Sequence, residues 1–169
     1  TCRFDLLLEA DHILLQGQPA AEALEAYRAL AMTLSSAEAL GATQAALDTT
    51  VDYTKQRVQF GQPLASFQAL QHRMSNMLIQ TELTRSLIYA ACNAADNGHD
   101  DAARFARAAK VKATTVSRAV SQEAIQLHGG IATTDEYIVG HFFKRITALE
   151  SWVCSKGEAL KEFMALSPS

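Results

Sequence analysis

The sequence predicts an all-α protein: an antiparallel up-down bundle of four to five long helices, preceded by a short N-terminal β-hairpin. Apolar residues recur at spacings of three and four over long stretches, which is the pattern of helices with one buried face. Short segments that contain glycine or proline separate these stretches and predict the turns between neighbouring helices. The chain has 169 residues, of which 49% are hydrophobic and 20% are charged, so one domain with a sizeable core is expected.

Composition and charge argue against several classes of function. The net charge of −3 offers no basic surface for a nucleic acid. No apolar run approaches the roughly 18 residues of a membrane span, and the first residues lack the pattern of a secretory signal. The cysteines and histidines show no spacing that is typical of metal ligands. We therefore expect a cytoplasmic protein with reduced thiols and no metal site.

Residues 1–18 differ from the rest of the chain and predict the N-terminal hairpin. Residues 1–10 and 13–17 are each typical of a short strand, with Asp11 and His12 as the turn between them. A two-stranded hairpin is marginally stable by itself and needs another element to pack against. From the residues alone, one interpretation is a hairpin that caps the helical bundle at 19–169.

The first helix is predicted from Pro19 to about Gln56. Proline suits the first turn of a helix, where its missing N–H is not needed. The apolar residues of this segment recur at spacings of three, four or seven and predict one buried stripe, which comprises Tyr27, Leu30, Leu34, Ala37, Leu40, Leu47 and Val51.

The second helix has the most regular pattern in the chain. It is predicted to end at Asn97-Gly98, because glycine readily adopts the left-handed conformation of a C-terminal cap. Its seam alternates by three and four and comprises Phe67, Leu70, Met74, Met77, Thr81, Thr84, Ile88, Ala91 and Ala95.

Three more helices are predicted in the remainder of the chain. The third begins after Asp100 or Asp101, either of which suits an N-cap, and runs to about Leu127. Thr133 and Glu136 resemble a capping box ahead of the fourth helix. A fifth helical pattern runs from about residue 151 to residue 166.

Two polar segments between these helices match the signatures of a known family. Residues 57–72 read RVQFGQPLASFQALQH, and residues 126–131 read QLHGGI, followed by DEY at 135–137 and KRIT at 144–147. Together they resemble the C-terminal helical domain of the acyl-CoA dehydrogenases, which are flavoproteins. The resemblance covers roughly residues 20–165, in the order and spacing of that family.

The resemblance implies that FAD is the cofactor and that both segments hold it. Arg57 offers a fixed fork of donors that suits a pyrophosphate, and Gly129-Gly130 lets a backbone approach a phosphate or ribose closely. In the family, the two loops serve a flavin that is shared across a subunit interface. The implied cofactor residues are Arg57, Gln59, Phe60, Gln68, Gln126, Gly129 and Gly130. The alternative is structural: Arg57 as a cation at a helix C-terminus, the glycines as a plain cap, and Phe60 in the core.

The implied reaction is the α,β-dehydrogenation of an acyl-CoA thioester, in which a carboxylate removes the α-proton and a hydride leaves the β-carbon for the flavin. The family usually places this Glu in a Tyr-Glu-Gly-Thr turn soon after an Arg-Ile-Thr stretch. Here ungapped registration puts Ser151 at that position, with Glu150 one residue earlier. In members that carry the base on the first helix, the matching residue is Ala31. Glu150 is therefore the candidate base, and the alternative is an ordinary Glu on a helix surface.

Because it departs from the family at the base position, the chain resembles the small or divergent subunits of heteromeric acyl-CoA dehydrogenases, such as the pimeloyl-CoA type. In these enzymes the partner subunit can supply the base. The resemblance implies an acyl-CoA substrate, an electron-transfer acceptor, and either self-association as a dimer or tetramer or a paired dehydrogenase subunit. It also implies a preceding β-barrel, of which residues 1–18 are remnant strands, and a fragment that is inactive alone. A second interpretation is a non-catalytic helical interaction module that has kept the bundle and lost the base.

Overall fold

The computed structural model describes residues 5–6 and 9–166, which form the predicted all-α bundle. The helices are α1 (Gln18–Gln56), α2 (Gln68–Asp96), α3 (Ala102–His128), α4 (Ile138–Glu150) and α5 (Lys156–Ala165). A pair of two-residue strands, β1 (Val58–Gln59) and β2 (Gln62–Pro63), joins α1 to α2. Short 3₁₀ turns occur at Ala10–His12, Leu64–Ser66 and Gly129–Thr133. No helix in the described part of the chain has the length and apolarity that a membrane crossing requires.

The antiparallel strands lie between α1 and α2, which is not where the hairpin was predicted. The first predicted strand falls largely on residues 1–4 and 7–8, which lie outside the described residues. The second, at 13–17, is wrong, because residues 13–16 are exposed and form neither helix nor strand. They lead through Gly17 directly into α1. The division between residues 18 and 19 into two domains stays a prediction.

Helix α3 lies at the centre of the bundle, where it packs against each of the other four helices. The apolar part of its buried face consists mostly of small side chains: Ala106, Ala109, Ala113, Val116, Val120 and Ala124. Small side chains allow neighbouring helix axes to approach closely. This central position fixes the end of α3 relative to the end of α1, where the two sequence signatures lie.

The predicted apolar stripe of α1 is only half right. Leu40 and Leu47 are buried, but Tyr27 is 66% exposed, and Leu30 and Leu34 are also exposed. Small hydroxyl residues take much of the buried face: Thr33, Ser35, Ser36, Thr43, Thr50 and Thr54. Their hydroxyls donate to carbonyl oxygens three or four residues earlier in the same helix, so that each of these buried hydroxyls has a partner. The seam of α2 is confirmed from Met77 through Ala91, and Ala94 rather than Ala95 is buried at its end.

The C-terminal cap of α2 forms as predicted. Gly98 has a φ of 60°. Its N–H donates to the carbonyl of Ala95 at 3.3 Å, and the N–H of His99 donates to the carbonyl of Ala94 at 2.9 Å. These two bonds form a Schellman motif, which closes the helix and turns the chain towards α3.

The capping box predicted at Thr133 and Glu136 is wrong. Thr133 belongs to a 3₁₀ turn, its hydroxyl donates to the carbonyl of Gly130, and α4 begins only after Tyr137. A capping box does form at the start of α5, where Ser155 and Glu158 bond each other's backbone N–H groups. The fifth helix is accordingly shorter than predicted. Residues 151–154 form a turn instead, because α4 ends at Glu150 and α5 begins only after its own cap.

A group of charged side chains holds α1, α3 and α5 together. The side chain of Arg107 on α3 is only 4% exposed and binds two carboxylates, those of Glu25 at 2.5 Å and Glu162 at 2.9 Å. Its third bond, from Nη1, goes to the carbonyl of Ala103 at 2.9 Å. Arg28 also binds Glu162, at 2.8 Å. This network compensates the burial of a guanidinium at the α5 end of the bundle.

Candidate functional site

The strand pair β1–β2 holds the first signature loop in a tight hairpin. Val58 pairs with Pro63 and Gln59 with Gln62, so that Phe60 and Gly61 form a two-residue turn. Their φ angles are 54° and 82°, both positive, as a type I′ hairpin turn requires. The backbone is therefore ordered, while the side chains of Arg57, Gln59 and Phe60 remain exposed.

Phe60 is an unusual residue at the tip of this hairpin. It is 91% exposed, which excludes the alternative that it belongs to the core. A left-handed conformation costs a non-glycine residue about 1–2 kcal/mol, and aromatic residues are not among those that favour it. Its ring contacts only Phe67, edge to face at 6.2 Å, among the aromatic contacts of the described residues. An exposed aromatic ring held in a strained conformation is typical of a binding residue.

Arg57 lies between the end of α1 and the first strand. Its N–H donates to the carbonyl of Tyr53 at 2.8 Å, and its carbonyl accepts from the N–H of Leu64 at 2.8 Å. Its side chain is exposed, and its guanidinium forms no hydrogen bond or ion pair within the described residues. A fixed backbone and an unpaired cation are the properties expected of an anion-binding arginine. Gln68 begins α2 directly after this loop and is also exposed.

The double-glycine turn leaves bare backbone on the surface. Gly129 ends α3 with a φ of 67°, a conformation that glycine adopts without strain. Gly130 has no such requirement, yet a Cβ added at either position would meet nothing within 4 Å. Gly130 is therefore not required by the helix cap, and its effect is to leave the backbone at this surface uncovered by a side chain. Gln126, one turn earlier, is exposed beside it.

A cluster of three rings brings the two loops to the same end of the bundle. Tyr53 on α1 stacks on His128 at the end of α3, with ring centroids 4.3 Å apart. Its hydroxyl donates to the backbone carbonyl of His128 at 3.2 Å. Tyr137, just before α4, lies 6.1 Å from Tyr53 and 5.1 Å from His128. Sequence analysis missed the role of Tyr53 and Tyr137; the available signal was that Tyr53 precedes Arg57 by one helical turn.

His128 is buried in its neutral form. Its Nδ1 lies 2.7 Å from the carbonyl oxygen of Ala124, which only accepts, so Nδ1 carries the hydrogen. The lone pair is then on Nε2, which is buried and has no partner among the described residues. Burial lowers the pKa of His128, and the bond to Ala124 opposes this only partly.

We expect the folded protein to lose stability through His128 at acidic pH. The pKa of this imidazole is lower in the folded state than its ordinary value of 6.5, so the unfolded chain binds the proton more readily. Stability therefore falls as the pH drops below 6.5 and levels off below the folded-state pKa. His128→Phe keeps an aromatic ring but removes this titration. Melting temperatures of the wild type and the variant are measured from about pH 7.5 to about pH 5. The melting temperature of the wild type should fall more than that of the variant as the pH decreases. A difference between the two melting temperatures that does not change with pH would contradict the expectation.

The candidate base lies far from the two loops. Glu150 ends α4, its side chain is 21% exposed, and its carboxylate accepts a hydrogen bond from Arg118 at 3.1 Å. It lines a small crevice with Ser35 and Ser36 of α1. About 20 residues of α1 separate this level of the bundle from Arg57, which corresponds to about 30 Å at 1.5 Å per residue. Ser151, at the position of the family's usual base, is exposed.

A buried lysine fixes the end of α4 beside Glu150. The ammonium of Lys110 donates to the carbonyl of Leu149 at 2.7 Å. Burial lowers the pKa of Lys110, while Cys154 and Glu150 oppose this effect. A cation at a helix C-terminus is favourably placed for the helix dipole. No group of three or more His, Cys, Asp or Glu side chains in the described residues is arranged to hold a metal ion.

The fold and the two signature loops together define the class of protein. Residues 20–153, well over half of the chain, match the family model "Acyl-CoA dehydrogenase, C-terminal domain". The chain therefore belongs to the acyl-CoA dehydrogenase family of oxidoreductases, as the resemblance of its two signatures predicted.

Particular relatives agree with this assignment. The acyl-CoA dehydrogenase IpdE2 of Mycolicibacterium smegmatis is 40% identical over 115 residues, which are 68% of this chain and 35% of the relative. The structure of butyryl-CoA dehydrogenase from Megasphaera elsdenii is 32% identical, with a TM-score of 0.77 over 79% of this chain and 35% of that chain. The ChsE4-ChsE5 complex from Mycobacterium tuberculosis shares the fold, with a TM-score of 0.80 at 23% identity over 90% of this chain and 42% of that chain. The chain spans about a third of the length of the curated relatives it matches.

Proposed function

We propose that the chain is the C-terminal domain of an FAD-dependent acyl-CoA dehydrogenase, where it contributes to FAD binding and to oligomerisation. The observation that carries this proposal is the meeting of two loops, about 70 residues apart in sequence, at one end of the bundle. One loop presents the exposed guanidinium of Arg57 and the other presents the bare backbone of Gly129-Gly130. A cation and open backbone at the same end of the bundle fit the pyrophosphate of a flavin dinucleotide.

Each exposed residue of the two loops has a role in this proposal. Arg57 would bind the pyrophosphate, and the glycine backbone would lie against a phosphate or the ribose. Phe60 would pack on a ring of the cofactor, which explains why an aromatic residue occupies a strained and exposed position. The polar contacts to the dinucleotide would come from Gln59, Gln68 and Gln126. When bound, the flavin would supply the hydride acceptor for dehydrogenation of the acyl thioester.

The visible spectrum of the intact protein tests this proposal. Protein purified with all its domains, and with any subunit that copurifies, should show flavin absorption or take up added FAD. A colourless preparation that does not bind FAD would contradict the proposal. The described residues supply two loops but no complete site, so we expect this chain alone neither to hold FAD firmly nor to turn over substrate.

We also propose that the base that serves the flavin at these loops comes from another subunit. The end of α4 and the two loops are about 30 Å apart along α1, so they would serve different active sites. Arg118 binds the carboxylate of Glu150, which supports the structural alternative for this residue. A paired dehydrogenase subunit would then supply the base at each site, and an electron-transfer acceptor would reoxidise the flavin.

Glu150→Gln is expected to leave turnover of the assembled enzyme within about threefold of the wild type. An ion pair with Arg118 loses little when the amide replaces the carboxylate at a partly exposed position. Loss of a true general base costs about 10²- to 10⁴-fold. Glu38→Gln, at another carboxylate paired with an arginine, is the control. A loss of that size in kcat for Glu150→Gln alone would make Glu150 the base.

Phe60→Asn is expected to stabilise the protein and to weaken FAD binding at the same time. The variant has the Asn-Gly pair that type I′ turns favour, and little buried area is lost because the phenyl ring is exposed. Relief of the left-handed strain should raise the free energy of unfolding by about 1 kcal/mol. Loss of the aromatic contact should raise the Kd for FAD by about tenfold. Denaturant unfolding and flavin titration measure the two effects; a decrease in stability together with unchanged FAD affinity would contradict both.

The second candidate function is a non-catalytic helical interaction module. It is favoured by Ser151, which stands where the family usually has its base. A pure scaffold, however, gains nothing from the exposed cation of Arg57 or the strained backbone of Phe60. The FAD titration therefore separates the two functions, since only the dehydrogenase domain requires these residues.

A further inference from the structure

Tyr53 makes one backbone contact to each of the two loops. Its carbonyl accepts the N–H of Arg57 at 2.8 Å, the bond with which α1 ends and the hairpin loop begins. Its hydroxyl donates at 3.2 Å to the carbonyl of His128, the residue before Gly129. Carbonyl groups in the last turn of a helix lie outside the regular hydrogen-bond pattern, so this donor orients the end of α3.

The ring of Tyr53 is also packed against other side chains. It stacks on the imidazole of His128 with planes 29° apart, and Tyr137 packs against both rings. The side chain of His128 is 4% exposed, and its Nδ1–H is bonded to Ala124. The imidazole is therefore a fixed platform that leaves Tyr53 little freedom to turn.

We infer that Tyr53 is a positioning residue that holds the Arg57 loop and the double-glycine turn at a fixed separation. A dinucleotide that contacts both loops gains affinity only if the loops are set before it binds, because ordering them on binding consumes free energy. The use of this arrangement for FAD rests on the proposed function. The coupling of the two loops through Tyr53 does not.

Tyr53→Phe tests the inference, because it removes the hydroxyl and keeps the ring for the stack. One lost hydrogen bond should raise the Kd for FAD of the intact protein by about fivefold. Tyr27→Phe is the matched control, since Tyr27 is exposed on the same helix; it should leave the Kd unchanged. If Tyr53 acts through the glycine turn, Tyr53→Phe and Gly129→Ala together should raise the Kd by less than the product of the single effects.

Amide hydrogen exchange of the flavin-free protein gives a second, independent result. Tyr53→Phe should accelerate exchange at both Arg57 and Gly129, whose N–H groups are bonded to Tyr53 and Ile125, and leave α5 unchanged. Unchanged exchange at both loops, or a Kd within twofold of the wild type with multiplicative double-variant effects, would overturn the inference. If the wild type does not bind FAD, the proposed function fails. Exchange at the two loops still decides whether Tyr53 couples them.

Discussion

Arg107→Met is expected to lower the free energy of unfolding by about 3 kcal/mol. The guanidinium of Arg107 is almost completely buried and binds Glu25 and Glu162. Methionine fills a similar volume but removes the ion pair of Glu25, leaves Glu162 with Arg28 alone, and takes the side-chain donor from the carbonyl of Ala103. Because these contacts join α1, α3 and α5, the loss should appear as a lower denaturant midpoint with an unchanged slope.

Arg145→Met is the matched control for this prediction. Arg145 also pairs with a carboxylate, that of Glu38, but both side chains are about half exposed. Exposed ion pairs contribute at most about 1 kcal/mol. Equal small losses for the two variants would show that the network at Arg107 adds nothing to stability beyond an ordinary surface pair.

Arg57→Ala is expected to weaken FAD binding by about 30-fold without destabilising the protein. Hydrogen bonds to a charged group contribute about 1.5–3 kcal/mol, and about 1.4 kcal/mol corresponds to a factor of ten in Kd. The folded structure should not change, because the guanidinium is exposed and makes no hydrogen bond or ion pair within the described residues.

Two further variants make this prediction specific. Arg57→Lys should recover only part of the affinity, since an ammonium lacks the planar fork that binds a phosphate through two nitrogens. Arg145→Ala removes an exposed arginine from the middle of α4 and should leave the Kd unchanged. Equal affinities of all three variants and the wild type would exclude Arg57 from the cofactor site.

The sequence predicts the helices better than it predicts which faces they bury. The seam of α2 and the glycine cap at Gly98 follow directly from periodicity and backbone conformation, and both are confirmed. On α1 the pattern of large apolar residues is misleading, because the helix is long and its first half leaves Tyr27, Leu30 and Leu34 exposed. Threonine and serine bury instead, since their hydroxyls are satisfied within the helix.

Short sequence patterns mislead where the same residues are compatible with two kinds of local structure. The pattern at 133–136 has the residues of a capping box, but the helix starts four residues later than the pattern suggests. The segment at 13–17 has the apolar residues of a strand, yet no partner strand lies beside it among the described residues. In both cases tertiary context decides, and a single sequence does not contain it.

The candidate site is predicted from sequence as two separate motifs, and only the structure joins them. Neither spacing nor composition indicates that Tyr53 bonds the carbonyl of His128, because the contact spans 75 residues. The unusual conformation of Phe60 is likewise invisible in the sequence, where a Phe-Gly pair does not favour a turn with two positive φ angles. The distance of Glu150 from both loops follows from the position of α4 along α1, which only the fold determines.

Hydrogen exchange with and without FAD measures most directly whether the two loops hold the cofactor. Added FAD should slow amide exchange in residues 57–62 and in residues 126–130 of the intact protein. Exchange in the turn at 151–154, which follows Glu150 at the end of α4, should change much less. Protection of neither loop in a protein that has bound FAD would contradict the account.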